Sequence, residues 1–489
     1  MAAVAGSELE TRPDETLGAA RLGAAVKDLS SREMAGRFAG AMPIDALREA
    51  VRAGEIDTVI VAMTDMQGRL QGKRFHAQFF LDEVAAHGTE ACAYLLAVDT
   101  EMNTVDGYAL TSWESGYGDF ALAPDLATMR AVPWQPGTAL VLADVRDLGG
   151  RPVRPSPRQV LQAQLDRVGE LGWTCLAGTE LEFVVFEGSY EQAWDGGYRE
   201  LTPANRYNAD YSVLGTGRIE PLLREIRNSM AGAGMTVESA KGECNPGQHE
   251  IAFRYADALT TADNHAIYKT GAKEIAARHG YALTFMAKPN AREGNSCHIH
   301  CSFRTPDGAP VLAGHGPFGL SEVGGSIVAG MLAGLREMTL MFAPTINSYK
   351  RYAPGSFAPT AVAWGPDNRT CALRLVGRGP SLRVECRVPG GDVNPYLALA
   401  GLIAAALDGV SRSLPLPSPV IGNAYSAPWL PRLPNAMHEA LSLWACSALA
   451  REAFGADVVD HYATMARAEL DAYRAAVTDW ELRRYFERI

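Results

Sequence analysis

The sequence predicts an α+β fold in two parts, on three observations. A helix followed by short strands fills the first part. A proline-rich connection, Arg151-Pro-Val-Arg-Pro-Ser-Pro, then interrupts the pattern, and beyond it helical stretches alternate with short strands that carry most of the unusual residues. No internal repeat is present. The expected division is an N-terminal extension over 1–40, a first domain over 41–148 and a second over 149–489.

Residues 1–40 are rich in Ala, Gly and charge and lack an apolar stripe, which predicts a flexible extension. From Pro43 the pattern predicts a helix over Ile44–Ala53, a strand over Thr58–Met63, a turn at Asp65–Gly68 and further strands up to Ala139–Asp144. After the connection, Ser156 is placed to cap a helix and Pro157 suits its first turn. Further helices are expected at about 220–234, 258–279, 321–342 and 394–411, and from 436 onward.

The chain has 489 residues, 47% apolar and 21% charged, enough to bury a large core. A net charge of -11 without long Lys/Arg runs argues against nucleic acid as a partner, because phosphate-backbone affinity comes from clustered basic side chains. An enzyme that gathers cations suits this balance. No apolar run reaches the roughly 18–20 residues needed to span a bilayer, and the first forty residues hold no signal-peptide core, so the expectation is a cytoplasmic protein that does not engage membranes. Eight cysteines scattered through so large a chain suit reduced thiols.

Four short segments carry the chemistry. In Thr179-Glu-Leu-Glu-Phe-Val-Val-Phe186, a period of two puts Glu180 and Glu182 on one face and Leu181 and Phe183 on the other. Glu243 and Glu250 flank a Pro-Gly turn that opens a strand. Ser296-Cys-His-Ile-His-Cys-Ser-Phe303 sets His298 and His300 against Cys297 and Cys301, which counts against a zinc site built from all four. Arg383, Glu385 and Arg387 share a face of the last strand. Taken singly, these segments read as a half-exposed edge strand or a surface ion-pair ladder. Together they bring five glutamates and a histidine onto strands with apolar backs. Carboxylates converge in that way only if cations neutralise them, and oxygen ligands with one imidazole favour Mg²⁺ or Mn²⁺. Two such ions with the nearby arginines form an apparatus suited to phosphoryl transfer.

In order, the strings Gly178-Thr-Glu-Leu-Glu-Phe183, Glu243 to Glu250, Phe285-Met-Ala-Lys-Pro289, Glu293-Gly-Asn-Ser-Cys-His-Ile-His300, Asn347-Ser-Tyr-Lys-Arg-Tyr352, Asn368-Arg-Thr370, Arg383-Val-Glu-Cys-Arg387 and Asn394-Pro-Tyr-Leu-Ala398 resemble the glutamine synthetase family. The resemblance implies a β-grasp N-terminal domain and an α/β catalytic domain with a curved antiparallel sheet. It also implies a ring-forming homo-oligomer, a dodecamer of two hexameric rings, with sites formed between neighbouring subunits. Glu182, Glu243 and Glu250 would hold one metal and Glu180, His298 and Glu385 another. His300, Arg369, Arg374 and Arg383 would handle ATP, and Gly294, Arg351 and Arg387 glutamate. Arg369, Glu243 and Asp106 would act in catalysis. ATP would phosphorylate the γ-carboxylate of glutamate, and an amine would capture the γ-glutamyl phosphate.

Two departures bear on the amine. Where ammonium-using members place a Glu, in a Pro-Gly-Tyr-Glu-Ala-Pro-like loop, this chain has Phe357 within Pro354-Gly-Ser-Phe-Ala-Pro359. The ammonium segment corresponds loosely to Asp106-Gly-Tyr-Ala109, which keeps the Asp and loses both serines. Phe357, Tyr211 and Tyr108 are the expected amine-site residues. An apolar wall suits an amine with a carbon tail, and these changes resemble the γ-glutamyl-amine ligases, among them γ-glutamylpolyamine and γ-glutamylethanolamide synthetases. An ordinary glutamine synthetase with another base, a non-catalytic relative and a small-molecule kinase are the competing readings, and the identity of the product separates them.

Overall fold

One long strand organises the larger part of the molecule, and a smaller sheet packs beside it. The structure is a computed structural model that describes residues 40–489, so the expected N-terminal extension lies outside the described residues except for Gly40. In the smaller sheet, β1 (Thr58–Thr64), β2 (Leu70–His76), β3 (Thr89–Cys92), β4 (Asp119–Pro124) and β6 (Thr138–Arg146) lie in the order β2-β1-β6-β4-β3, with β5 (Arg130–Ala131) beside β6. β1 and β6 run parallel and the other pairs antiparallel. The β-branched run at the start of β1 buries Val59 and Val61, and helix α1 (Ile44–Arg52) packs Leu47 and Ala50 into the same core. At the β1–β2 turn, Asp65 Oδ1 accepts from the amides of Gln67 and Arg69 at 3.0 and 2.8 Å, and Gly68 takes a φ of +79°.

The larger sheet has nine strands. Its central member, β7 (Thr174–Glu187), pairs with β9 (Gln248–Phe253) on one side and β12 (Cys297–Arg304) on the other. β8 (Val237–Gly242) lies outside β9. Beyond β12 come β15 (Arg383–Cys386), β14 (Leu373–Val376) and β13 (Trp364–Pro366), while β10 (Ala256–Asp257) and β11 (Tyr281–Thr284) also pair with β7.

The longer helices after α1, among the described residues, are α2 (Pro157–Glu170), α3 (Glu220–Gly232), α4 (Ala258–Arg278), α5 (Glu322–Gly334), α6 (Pro395–Ser411), α7 (Met437–Cys446) and α8 (Ala456–Ala475). Pro157 does open α2, but the Ser156 side chain makes no capping bond: it is buried, and only its backbone carbonyl joins the helix, accepting from Val160 at 2.9 Å. The single helix expected over 321–342 is broken. α5 ends at Gly334, a poor helix former, and a separate turn, Thr339–Phe342, follows; Glu337 between them accepts a hydrogen bond from the Ser447 hydroxyl. Within α5, a Cβ on Gly330 would meet Gly409 Cα of α6 at 2.6 Å, so the Gly/Ala richness of this stretch permits close helix contact.

Two devices fix the sheets to one another. Arg158 of α2 pairs with Asp125 (2.7 Å) and Asp144 (2.5 Å) at the smaller sheet and with Asp263 of α4 (3.1 Å), whose carboxylate also accepts from Tyr396 Oη at 2.7 Å. The Asn394 amide donates to the carbonyls of Asp65 and Met66 at 3.1 Å each, tying the first hairpin to the start of α6. One large apolar core runs through both layers, with two small clusters apart from it, around Val184 and Phe186 and around Ala363 and Cys371. Among the described residues, no helix is long and apolar enough to cross a membrane.

Candidate active site

Strand register assembles the charged side chains. β7 is central in its sheet, not an edge: Leu181 and Phe183 are buried, Glu182 is 7% exposed, and Glu180 is partly open on the same face. Glu182 lies directly across from Glu250 on β9, and Glu180 across from His298 on β12. His300 faces Glu385 on β15, and Glu385 faces Arg374 on β14. Side chains directly opposite on one face sit close together. Pairing thus converts distant two-residue spacings into one cluster. Cys297 and Cys301 are buried on the apolar face, away from the imidazoles.

The first group is Glu182, Glu243 and Glu250, whose ligand oxygens lie within 4.8 Å of one another. Burial and the Glu243 charge push Glu182 up to about 8; burial, Glu180 and Glu182 push Glu250 up to about 9. Glu243 is raised by burial against the pull of Lys241, whose ammonium it binds. Glu182 accepts from Gln248 Nε2 at 2.9 Å and from the Ser296 amide at 2.8 Å, which orients it.

The second group is Glu180, His298 and Glu385, again within 4.8 Å. His298 Nδ1 is 3.2 Å from Glu180 and 3.6 Å from Glu385, and His300 Nε2 is 2.9 Å from Glu180. Burial opposes ionisation of Glu180, yet the hydrogen bonds from His298 and His300 outweigh it and hold the carboxyl well below its usual range. Glu385 is lowered too, against its burial, by His298 and Arg387. Burial and Arg387 push His298 down to about 4. At 1% exposure, Glu385 does not belong to a surface ladder; Arg374 (2.8 Å) and Arg387 clamp its two oxygens.

Both groups fit hard divalent cations. Two buried carboxylates and a half-buried one, all with raised proton affinity, need positive charge to stay ionised together, and in the second group His298 Nδ1 lies 3.2 and 3.6 Å from two carboxylate oxygens.

The remaining expected residues fall into six places. Arg383 Nε donates to His300 Nδ1 at 3.1 Å; both line a cavity of about 480 Å³ that also holds Glu180, Phe253 and Tyr255. Arg374 adds a 3.0 Å bond to Asp367, while Arg369 is exposed on the turn that Asn368 stabilises. Gly294, Arg351 and Arg387 are contiguous: a Cβ on Gly294 would meet Arg351 Cγ at 2.9 Å, and Arg351 donates to the Arg387 carbonyl at 2.9 Å. Arg351 is buried, with its remaining bonds on the carbonyls of Val388 and Pro389 and the Ser296 hydroxyl, so it braces the segment that follows β15.

Phe357 is 56% exposed with a φ of +57°, and its carbonyl accepts from Arg387 at 3.4 Å, so the loop abuts the second group. Tyr211 is exposed beside the first group, with Lys241 Nζ 4.7 Å from its ring centroid. Tyr108 requires correction as an amine-site residue: its ring is buried against His461, centroids 4.6 Å apart, because it fills the core beneath α8. Asp106 is exposed; among the described residues neither it nor Tyr108 shares a hydrogen bond, ion pair or ring contact with the carboxylates of its own chain.

Lys241, Gln248 and Ser296 were not singled out from the sequence. Lys241 lies two residues before Glu243 and Gln248 two before Glu250, so the alternation that placed the glutamates also carried a signal for these two.

Comparisons with known proteins place the chain in a family. A family model described as the glutamine synthetase catalytic domain matches residues 154–485. Over 446 residues the chain is 64% identical to a gamma-glutamylethanolamide synthetase of Streptomyces coelicolor, covering 91% of this chain and 96% of that protein. It is 40% identical over 448 residues to a glutamate–isopropylamine ligase of a Pseudomonas species, covering 91% and 98% respectively. A solved GmaS/ADP complex superimposes with a TM-score of 0.80 at 29% identity, over 90% of this chain and 99% of that one. Motif order, strand register and similarity along most of the chain lead to one conclusion: this protein belongs to the glutamine synthetase family.

Proposed function

We propose that the protein is an ATP-dependent ligase that joins the γ-carboxylate of glutamate to a primary amine, with ethanolamine preferred over ammonium. Phe357 carries this reading. It stands where the resemblance places the Glu of ammonium-using members, and an exposed ring there offers apolar contact in place of a counter-charge. The 64% identity to a gamma-glutamylethanolamide synthetase supports ethanolamine among the amines, and the isopropylamine ligase supports a carbon-bearing amine in general.

In the first step an oxygen of the glutamate γ-carboxylate bonds to the γ-phosphorus of ATP and the bond to ADP breaks. The nucleotide occupies the cavity beside Glu180, with His300 and Arg383 toward its phosphates. Arg374, fixed by Glu385, and Arg369, exposed on its turn, supply guanidinium charge to the transferring group. Gly294 and Arg387 border the glutamate. The two carboxylate groups would hold Mg²⁺ or Mn²⁺, which would supply further neutralisation of phosphate charge. In the second step the amine nitrogen bonds to the acyl carbon, phosphate leaves, and the nitrogen loses a proton. Glu243 and Tyr211 border that amine.

We further propose a ring-forming homo-oligomer, a dodecamer of two hexameric rings, in which the exposed Asp106 serves a neighbouring subunit's site. A panel of ethanolamine, putrescine, isopropylamine and ammonium, assayed for ATP- and glutamate-dependent phosphate release, tests the reading. The expected result is the fastest release with ethanolamine; no release above background with any amine overturns the ligase assignment.

A further inference from the structure

Two buried polar side chains, Asn205 and His249, belong to neither carboxylate group. Both are closed off from solvent. His249 lies on β9 with its Nε2 3.0 Å from Asn205 Oδ1, while Asn205 Nδ2 donates to the Gly215 carbonyl at 2.7 Å. With the amide nitrogen engaged by Gly215, the amide oxygen accepts the His249 proton. One side chain thus joins the beginning of the segment 205–217 to its later half and fastens both to the sheet. Just before it, the Ala204 amide donates to the Val185 carbonyl of β7 at 2.9 Å.

The tip of this arm reaches the first carboxylate group. Asp210 accepts from the Cys244 thiol at 3.5 Å, and the Tyr211 ring centroid lies 4.7 Å from Lys241 Nζ, the ammonium bonded to Glu243. The Tyr211 amide donates to the Gly242 carbonyl at 3.3 Å. Only a glycine allows that approach, since a Cβ at Gly242 would stand 2.2 Å from the Ala209 carbonyl oxygen. Tyr211 itself takes a φ of +54°, in the left-handed region, and is 72% exposed. A strained backbone under an exposed ring keeps its place only if the arm is held elsewhere.

We propose that Asn205 is a positioning residue for amine selection: by clasping both halves of the arm to His249, it holds Tyr211 beside Glu243, where the amine arrives. The inference rests on the ligase reading above. Removing the amide leaves the His249 N–H and the Gly215 carbonyl without their partner and frees the tip to leave its left-handed conformation. The loss falls on the amine, because among the described residues the arm contributes none to the lining of the nucleotide cavity.

The test is steady-state phosphate release by the full-length protein, with ethanolamine, ATP and glutamate each varied in turn. Wild type is compared with Asn205→Ala, Tyr211→Ala and the double variant, each checked for folding by thermal unfolding. The expected result for Asn205→Ala is a KM for ethanolamine raised about tenfold, with the KM values for ATP and glutamate changed less than about twofold. Tyr211→Ala should lower kcat/KM for ethanolamine, and the double variant should be no worse than the more impaired single one, because the amide acts through the arm that carries the ring. Gly215→Ala displaces the same arm from within, its Cβ meeting Ala209 Cβ at 2.8 Å, and should raise the same KM; it decides the matter if Asn205→Ala does not fold. Equal shifts in all three KM values, no shift in any, or additive losses in the double variant overturn the inference and leave the ligase reading standing. A wild type that releases no phosphate with ethanolamine overturns both.

Discussion

The two carboxylate groups share strand β7 and differ in how the protein treats their charge. Glu180 and Glu385 are met by imidazole and guanidinium donors, and both carboxyls are held ionised. Glu182 and Glu250 face one another across β7 and β9, and their proton affinities rise to about 8 and about 9. The first arrangement is largely neutralised by the chain itself; the second depends on protons or cations from outside. Neighbouring glutamates, Glu180 and Glu182, thus have opposite electrostatic fates through what register places across from each.

The sharpest way to break this comparison is to remove one carboxylate from each group. Glu250→Ala should lower turnover by about a thousandfold, or ~4 kcal/mol of barrier at ~1.36 kcal/mol per tenfold. In a chelator above pH 7 it should still raise the melting temperature by about 1–2 °C, because the cost of holding this buried carboxyl protonated above its ordinary pKa is gone. Glu180→Ala should also abolish turnover and should lower the melting temperature, since His298 and His300 lose their acceptor. Melting shifts of the same sign would contradict the distinction.

Arg369→Lys comes next. An ammonium cannot reproduce the guanidinium fork around phosphate oxygens, so steady-state turnover should fall roughly a hundredfold with folding unaffected. Phe357→Glu should be smaller in total effect but selective. Each methylene of the amine gains about 0.8 kcal/mol on burial, so replacing the ring by a carboxylate should move the preference toward ammonium by one to two powers of ten, at about 1.4 kcal/mol per tenfold. The ratio of kcat/KM for the two amines measures it.

The smallest effect is on stability against pH. Glu182 and Glu250 have folded pKa values above the ordinary carboxyl value of about 4.3, so their contribution is fully present below that value and is lost as pH rises through about 8 and about 9. Glu180 and Glu385, lowered in the fold, contribute above the ordinary value and lose that contribution as the solution is acidified. Metal-free protein should therefore lose a few degrees of melting temperature between pH 6 and 9, and saturating Mg²⁺ should flatten that slope. Melting curves with chelator and with Mg²⁺ across this range check the sign.

Much of this site was legible because period-two alternation is local. Glu180 with Glu182, His298 with His300 and Arg383 with Glu385 could be placed on faces from spacing alone, and in the structure Glu180, His298 and Glu385 cluster, as do Glu182, Glu243 and Glu250. What spacing could not supply was the partner across each strand. Lys241 matters only because β8 pairs with β9 in the register that sets it against Glu250, a relation between separate segments. Tyr108 failed for a similar reason: its segment looked like a substrate loop, but α8, more than three hundred residues later in the chain, buries its ring. The break after α5 was not legible because Gly334 is followed by Leu335-Arg-Glu-Met338, residue types that suit a continuing helix equally well.

The central claim is that this member of the family spends ATP to attach a carbon-bearing amine to glutamate. A single competition reaction tests it most directly: equal concentrations of ethanolamine and ammonium with ATP, glutamate and Mg²⁺, and mass analysis of the products at low conversion. The account predicts γ-glutamylethanolamide in excess over glutamine by at least about tenfold, from burial of the amine's two carbons at about 0.8 kcal/mol per methylene. Glutamine as the equal or major product would contradict it.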